Sequence, residues 1–143
     1  MATSYPFNRF RYRVEIDGIG EAGFSEVTGF DASIDVIEYR TGDEKAGTPG
    51  KSPGLRRYSN VTLRWGTTDS TAVYKWMEAW IEKAAERKDV TVSLLDDEGA
   101  EIASWVITAA WPIKYIVPEL SSLSSEIAIE TLELAHEGLK RSK

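Results

Sequence analysis

DASIDVIEY at residues 31–39 and YSNVTLRW at 58–65 are two alternating segments, and TGDEKAGTPGKSPGLRR at 41–57 joins them. Alternation of polar and apolar side chains is typical of a half-buried strand. The connection is much longer than the roughly 4–6 residues that are common in compact domains. Its only apolar residues are Ala46 and Leu55. We therefore expect an extended arm at about 41–57 that cannot be buried in the core of its own domain.

The arm is basic, whereas the rest of the chain is acidic. Four cations and two carboxylates give the arm a balance of +2, and the whole chain carries −6, which leaves −8 for the remainder. This charge separation favours contact between copies of the chain, and the alternative is that both regions are solvated charged surfaces. For the arm as a whole, the alternative is a mobile surface loop. The predicted contact residues of the arm are Asp43, Glu44, Lys45, Lys51, Leu55, Arg56 and Arg57.

Length and composition restrict the protein class. The 143 residues predict one domain spanning 1–143. The absence of cysteine excludes disulfides, thiolate zinc sites and cysteine nucleophiles. The net charge of −6 argues against an open nucleic-acid-binding surface, which normally has a basic patch. No stretch approaches the ~18 apolar residues of a membrane span, and no signal peptide follows Met1, so we expect a chain that is soluble in the cytoplasm.

The secondary-structure pattern indicates a mainly β fold with antiparallel connections and one flanking helix. The helix is expected at about 70–87, with a single apolar stripe and Asp69 or Ser70 as its cap. Pro112 and Pro118 are expected to bracket an irregular piece. A phase slip in the last strand suggests either a bulge or a strand covered on both faces by different neighbours. Strands are expected at 10–16, 22–28, 31–39, 58–65, 89–95, 100–111 and 125–136, with Ile34, Val36, Val61, Leu63 and Trp65 facing inward.

Residues that could carry catalysis or bind a cofactor do not converge. Gly18, Gly20 and Gly23 match the spacing of a dinucleotide fingerprint, but the sequence after them continues as strand rather than helix. His136 is the only histidine and has no nucleophile motif to accompany it. The five tryptophans are better explained by packing than by ligand stacking. We therefore predict no enzyme activity and no catalytic, metal-binding or cofactor-binding residues.

Taken together, six segments resemble the phage tail tube family, which includes the inner-tube proteins of contractile tails and of phage-tail-like contractile injection systems. They stand in the order and spacing of that family from about Tyr5 to Leu139. The segments are Asn8–Gly18, Gly23–Gly42, Tyr58–Gly66, Tyr74–Trp80, Ala110–Tyr115 (AWPIKY) and Ile127–Leu139 (IAIETLELAHEGL).

The resemblance implies a small antiparallel β-barrel or sandwich with a flanking helix. Six copies would join into a ring with their sheets merged around a channel, and rings would stack into a rigid tube that conducts cargo and is driven forward by sheath contraction. Implied partners are the chain itself, the sheath, baseplate, spike and cap proteins, and cargo, with no cofactor and no direct membrane insertion. Assembly in the bacterial cytoplasm follows. Asp31, Ser33 and Asp35 are predicted to line an acidic channel wall.

Two alternatives remain open at the level of sequence. The first is a tube-initiating baseplate ring or a terminator built on the same fold. The second is a monomeric β-barrel binding module that uses its tryptophans. Self-association would separate the second alternative from the others.

Overall fold

The computed structural model describes residues 11–39, 42, 47, 49–123 and 126–143, with the backbone alone for residues 20–22. These residues form ten strands and one helix. In chain order they are β1 (Tyr12–Ile16), β2 (Gly20–Ala22), β3 (Glu26–Thr28), β4 (Ser33–Tyr39), β5 (Gly50–Arg57), β6 (Val61–Gly66), α1 (Ala72–Glu82), β7 (Lys88–Leu95), β8 (Glu101–Ile116), β9 (Ile129–Ala135) and β10 (Gly138–Arg141).

Eight of the strands form one antiparallel sheet. Its order is β2-β1-β7-β8-β9-β6-β3, and β10 pairs with β8 beside this path. Strands β4 and β5 pair only with each other within the described part of the chain. The mainly antiparallel β class with one helix is therefore confirmed. The sheet is open, however, so the barrel form of the expectation is wrong for the single chain.

A bulge in β8 bends the sheet around the core. The first part of β8 pairs with β7, whereas its last part pairs with β9. The register with β7 shifts between Lys88 and Val90. Opposite the shift, Ala109 has φ +52°, and its N–H donates to Asp89 Oδ1 over 3.1 Å. Because a bulge increases local bend and twist, β8 leaves one half of the sheet here and joins the other.

The core lies between these two halves of the sheet and is closed by the helix. Side chains from β1, β7 and β8 meet those of β6 and β9, and α1 contributes Val73 and Trp76. The predicted inward positions of β6 are confirmed. The buried core consists of Val14, Ile16, Val61, Leu63, Trp65, Val73, Trp76, Val90, Ile107, Ala110, Leu132 and Leu134.

The helix is shorter than its apolar stripe predicts. Lys83 has an extended backbone, with φ −167° and ψ 165°, and ends the helix. The N-cap is Thr71, with no side-chain capping bond, so neither Asp69 nor Ser70 caps it. Ile81 is 68% exposed although it lies on the predicted stripe.

Three strand predictions also need correction. The single strand expected at 22–28 is two strands, β2 and β3, interrupted at 23–25. The piece after Pro112 is not irregular, because β8 continues through it to Ile116 with a register shift between Pro112 and Lys114. The apparent phase slip of the last strand arises because β9 begins at Ile129, so that Ile127 lies outside it. Within β9 the alternation is regular.

Candidate assembly surfaces

Strands β4 and β5 continue β3 and β6 in the same register. Thr28 pairs with Thr62, and Ser33 pairs with Arg57. From the first pair to the second, the chain advances five residues on one side of the hairpin and goes back five residues on the other, so the register is unchanged. The two ladders therefore belong to one long hairpin. Its base lies in the main sheet, and its distal half, β4 with β5, projects from that sheet. This distal half is named the ribbon below.

The second half of the extended arm expected at about 41–57 is a paired strand of the ribbon. Residues 50–57 are strand β5, even though they include Pro53 and Gly54. Proline is tolerated at sheet edges because its missing N–H is not needed there, and Pro53 lies next to a register shift opposite Val36. The arm residues Asp43, Glu44 and Lys45 fall outside the described residues, so their predicted contacts stay predictions.

The ribbon exposes apolar side chains that a single chain does not cover. These residues are 54–71% exposed. The inward placement predicted for Ile34 and Val36 is therefore wrong within one chain. An isolated two-stranded hairpin is marginally stable in water, so the ribbon needs another surface to cover it. The residues concerned are Ile34, Val36, Ile37, Tyr39 and Leu55.

A hinge separates the ribbon from the base of the hairpin, at residues 29–32 and 58–60. Gly29 has φ +94°, and a Cβ at this position would lie 2.2 Å from the carbonyl oxygen of Asn60. No other residue type fits at this position without displacing the facing hairpin segment at Asn60. The sharp turn of the backbone at residue 29 and its close approach to Asn60 in the opposite segment of the hairpin therefore both depend on Gly29.

The side chains of Asp31 and His136 hold the hinge segment 58–60 at Ser59. The N–H of Ser59 donates to Asp31 Oδ1 over 3.2 Å. The ring of His136 lies with Nε2 3.1 Å from Ser59 O and Nδ1 3.1 Å from Gly138 O. Both neighbours are carbonyl oxygens and accept hydrogen bonds, so a ring N–H of His136 can donate to either of them. The single histidine thus has a structural place, which its sequence position did not reveal.

Two predicted site residues of the ribbon bind each other. Nε of Arg57, predicted for the arm, lies 2.7 Å from Oδ2 of Asp35, predicted for the channel wall. Ser33, Lys51 and Arg56 are exposed. Cationic and apolar groups of the ribbon therefore remain available to a second chain.

The outer side of the β8–β9–β6–β3 half carries a polar surface, named the polar face. Its side chains alternate with the core residues of the same strands. Arg64 Nη1 lies 3.5 Å from Glu26 Oε2, and Asn60 Nδ2 donates to Glu133 Oε1 over 3.1 Å. Asp31, Ser33 and Asp35 lie beyond Thr28, where this sheet half meets the ribbon. The polar face comprises Glu26, Thr28, Thr62, Arg64, Lys114, Thr131 and Glu133.

A cleft lies at the opposite end of the polar face from the ribbon. Residues 117–123 and 126–128 follow β8 there, and the cleft of about 690 Å³ lies between these residues and the ends of β3, β6 and β9. This feature is named the far-end cleft. Four apolar side chains of these residues are 60–98% exposed: Val117, Leu120, Leu123 and Ile127.

One polar pair is buried between the sheet and the helix. Glu130 is 8% exposed, and it accepts a hydrogen bond from the hydroxyl of Tyr115. The ring of Tyr74, on α1, lies 5.0 Å from that of Tyr115. Burial first, and then the bond to Glu130, raise the pKa of Tyr115 from 10.0 to about 12. The pair fixes the end of β8 against β9 and needs no ligand for this purpose.

Within the described residues, no cluster of three or more histidine, cysteine or acidic side chains could hold a metal ion. In the same part of the chain, no helix is both long and apolar enough to span a membrane.

A family model described as T4-like virus tail tube protein gp19 matches residues 8–140. The chain belongs to this tail tube family. The resemblance inferred from the six sequence segments is thus confirmed. The family consists of structural tube proteins, and the chain is part of a phage tail or an extracellular contractile injection particle. A comparison with curated protein sequences finds no match.

Solved structures of contractile injection particles contain chains with the same fold as this tail tube family member. A chain of the anti-feeding prophage cap, its tube-terminating cap, is 30% identical with a TM-score of 0.90, over 100% of this chain and 95% of that one. A chain of the PVC sheath/tube terminator in the extended state is 31% identical with a TM-score of 0.90, over 99% and 100%. A chain of the extended PVC sheath–tube complex is 30% identical with a TM-score of 0.88, over 96% and 92%.

Proposed function

We propose that this chain is a subunit of the inner tube of a contractile injection system or phage tail. Six copies form a ring, and the rings stack into a hollow, rigid tube. The tail tube family match supports this function, but the observation that carries it is the ribbon. A strand pair that displays Ile34, Ile37 and Leu55 to solvent is completed by contact with another copy.

The ring gives the open sheet a means of covering its edges. Exposed edges are templates for uncontrolled pairing, and native proteins close, cover or charge them. In the described part of the chain the strands at the two ends of the sheet, β2 and β3, have only three residues each, and β10, which pairs only with β8, has four. A head-to-tail contact between neighbours joins the sheets around a common axis, and such contacts close into rings when the rotation permits.

The polar face, together with Asp31, Ser33 and Asp35, lines the channel in this proposal. The threonine, carboxylate, arginine and lysine side chains of this face offer little apolar surface on which a passing effector protein could stick. Acidic groups in addition repel DNA and acidic cargo. The tube works mechanically, as a rigid conduit pushed forward when the sheath contracts, without a catalytic step or a cofactor.

The partners follow from the particle. The sheath–tube complex and the terminating cap that contain similar chains support a sheath around the tube and a cap at its end. A baseplate and spike close the other end. The subunits assemble in the bacterial cytoplasm, and the finished particle is a phage tail or is released outside the cell.

The purified protein tests the proposal directly. Mass photometry should detect hexamers, and negative-stain micrographs should show rings and tubes whose amount increases with subunit concentration. Obligate interfaces bury roughly 2,000 Å² or more, so rings should be detectable well below the concentration at which tubes form. If the concentrated protein consists only of single chains, even with its sheath and baseplate present, the proposal is wrong.

A terminator or baseplate ring of the same fold is the second candidate. It is favoured by the two matches with a TM-score of 0.90, which come from a cap and from a sheath/tube terminator. A terminator ring stops growth, so it would form hexamers that do not stack and that bind only at tube ends. A monomeric binding module would form neither, and Trp65 and Trp76, which are buried in the core, offer it no stacking surface.

A further inference from the structure

We propose that the two carboxylates of the polar face mask its two cations, so that a polyanion passing through the channel finds no site to bind. Glu26 masks Arg64, and Glu133 masks Lys114. The inference rests on the proposed function, because it takes the polar face as the channel wall. It identifies the residues that set the preference of this wall for the charge of its cargo.

The cations and carboxylates of the polar face stand opposite each other on neighbouring strands. Glu26 of β3 pairs in register with Arg64 of β6, and Lys114 of β8 pairs in register with Glu133 of β9. Side chains that face each other across an antiparallel pair have Cβ atoms about 4.5–5.5 Å apart, so opposite charges at these positions attract. Two carboxylates against two cations give the face a balance of zero.

The mask on Arg64 is a direct ion pair at the surface. Nη1 of Arg64 lies 3.5 Å from Oε2 of Glu26, and both side chains are 49% exposed. The guanidinium group is therefore within reach of passing cargo. Its wider surroundings are also acidic, because Arg64 is the one cation among the described residues that line the far-end cleft, together with the carboxylates of Glu26, Glu119 and Glu126.

The mask on Lys114 depends on a carboxylate that is held in place. Nδ2 of Asn60 donates to Oε1 of Glu133 over 3.1 Å, which keeps this carboxylate on the polar face. Lys114 is exposed, and Glu133 is half-buried beside it in the ladder. An ammonium group is a compact charge that needs no fork geometry, so a carboxylate on the facing strand position reduces its attraction for anions.

Masking matters most for cargo that carries many negative charges. Arginine binds phosphate and carboxylate groups through two parallel hydrogen bonds. In a ring of six subunits an uncovered Arg64 is repeated six times, and the rings repeat along the tube. Because linked weak contacts add up to a strong one, a polyanion would be held in the channel instead of sliding through it.

The fold around Arg64 does not depend on the ion pair. The backbone N–H of Ser25 donates to the carbonyl oxygen of Arg64 over 2.8 Å, and the hydroxyl of Ser25 does so over 3.2 Å. These bonds hold the start of β3 against β6 without the carboxylate of Glu26. Exposed ion pairs contribute little to stability, so Glu26→Gln should fold and form tubes.

Glu26→Gln tubes should retain a polyanion that wild-type tubes release. The probe is a fluorescent single-stranded DNA oligonucleotide, and the quantity measured is the probe that sediments with tubes and survives a nuclease, which removes DNA from the outer surface. We expect about tenfold more retained probe at about 50 mM salt. Six phosphate contacts should weaken this binding about a hundredfold or more at about 200 mM salt.

Two further variants separate the uncovered charge from a loosened structure. The double variant Glu26→Gln with Arg64→Gln removes the cation as well, so retention should return to the wild-type level. Glu137→Gln is the matched control, because it frees Arg87 from an exposed ion pair of 3.0 Å that lies off the polar face. Retention by the double variant, or equal retention by Glu137→Gln, would overturn the proposal.

Glu133→Gln keeps the proposal testable if a change on the edge strand β3 prevents assembly. Glu133 lies on β9, which is paired on both sides within its own chain, and its replacement uncovers Lys114. These tubes should also retain the oligonucleotide in a salt-dependent way. Tubes of both single variants that release it like the wild type contradict the masking role. A wild-type protein that forms no tubes would instead refute the proposed function.

Discussion

The core strand β6 and the ribbon strand β4 have similar sequence patterns but opposite surroundings. In β6, Leu63 alternates with polar neighbours and is 0% exposed. In β4, Ile34 and Val36 also alternate with the polar residues Ser33 and Asp35, yet both remain exposed. Both strands belong to the same long hairpin and share one register. The difference is that the rest of the same chain covers one face of β6, whereas the described part of the chain leaves these side chains of β4 uncovered.

This contrast separates two kinds of apolar residue in one protein. Residues of the first kind stabilise the fold of a subunit. Residues of the second kind stabilise contact between subunits, so their contribution depends on the concentration of the protein. Substitutions in the two regions should therefore change different measured quantities, and the following predictions use that difference.

The largest effect should come from a pair of leucine truncations. Leu63→Ala opens a cavity in a closely packed core and should lower the free energy of unfolding by about 2–5 kcal/mol. Leu55→Ala, on the ribbon, should change it by less than about 0.5 kcal/mol but should raise the concentration at which tubes form. Urea titrations below the concentration of ring formation measure the first quantity, and light scattering measures the second. Equal losses of unfolding free energy in Leu63→Ala and Leu55→Ala would contradict the distinction between core and ribbon residues.

The hinge between the two regions should respond to a single added methyl group. Gly29→Ala forces a left-handed backbone conformation on alanine, which costs about 1–3 kcal/mol, and the new Cβ would overlap the carbonyl oxygen of Asn60. We expect a less stable subunit whose ribbon is displaced, and therefore fewer tubes. Gly23→Ala is the matched control, since a Cβ at that position meets nothing within 4 Å. Comparable losses in both variants would contradict the role of the hinge.

The sequence predicted the core strands better than the ribbon for a physical reason. Alternation in residues 58–65 indicates that one face is buried, and Val61 and Leu63 are buried by the same chain. Alternation in residues 31–39 also indicates a buried face, but the pattern does not tell whether the same chain or a second copy buries it. Strand β5 was missed because Pro53 and Gly54 disfavour strands, and the strand depends on pairing with β4.

The candidate surfaces could be predicted only in part. Lys51, Leu55 and Arg56 were named from charge and composition, and the structure places them on the ribbon. The roles of Gly29 and His136 depend on contacts with Asn60 and Ser59, which are distant in sequence. The far-end cleft had a weak signal in the apolar residues after Pro118, but their exposure follows only from where β8 ends.

The buried polar pair offers a test of the core that does not change its shape. Tyr115→Phe removes the hydroxyl that donates to Glu130 and leaves a buried carboxylate without this bond, at a cost of about 1–3 kcal/mol. Tube formation at equal amounts of folded subunit should be unchanged, because neither group belongs to the ribbon. Chemical denaturation at pH 7 measures the loss. A variant as stable as the wild type would show that Glu130 finds another donor.

Alkaline pH should remove the same stabilisation from the wild type. Because the pKa of Tyr115 is raised from 10.0 to about 12 in the folded protein, the protonated hydroxyl is favoured by folding. The stabilisation is complete below pH 10 and is lost as the pH rises towards 12. The difference in unfolding free energy between the wild type and Tyr115→Phe should therefore shrink over this interval. A difference that stays constant would exclude titration of Tyr115 as its source.

The smallest effect is expected within the ribbon. The pair Arg57–Asp35, at 2.7 Å, is exposed, and exposed ion pairs are worth about 0.2–1 kcal/mol. Asp35→Asn should therefore barely change the unfolding of the subunit. If Asp35 lines the channel in the assembled tube, the same substitution should reduce the repulsion of acidic cargo while tubes still form. Tubes with normal length and normal passage of an anionic probe would remove Asp35 from the channel wall, and loss of rings would place it in a subunit interface instead.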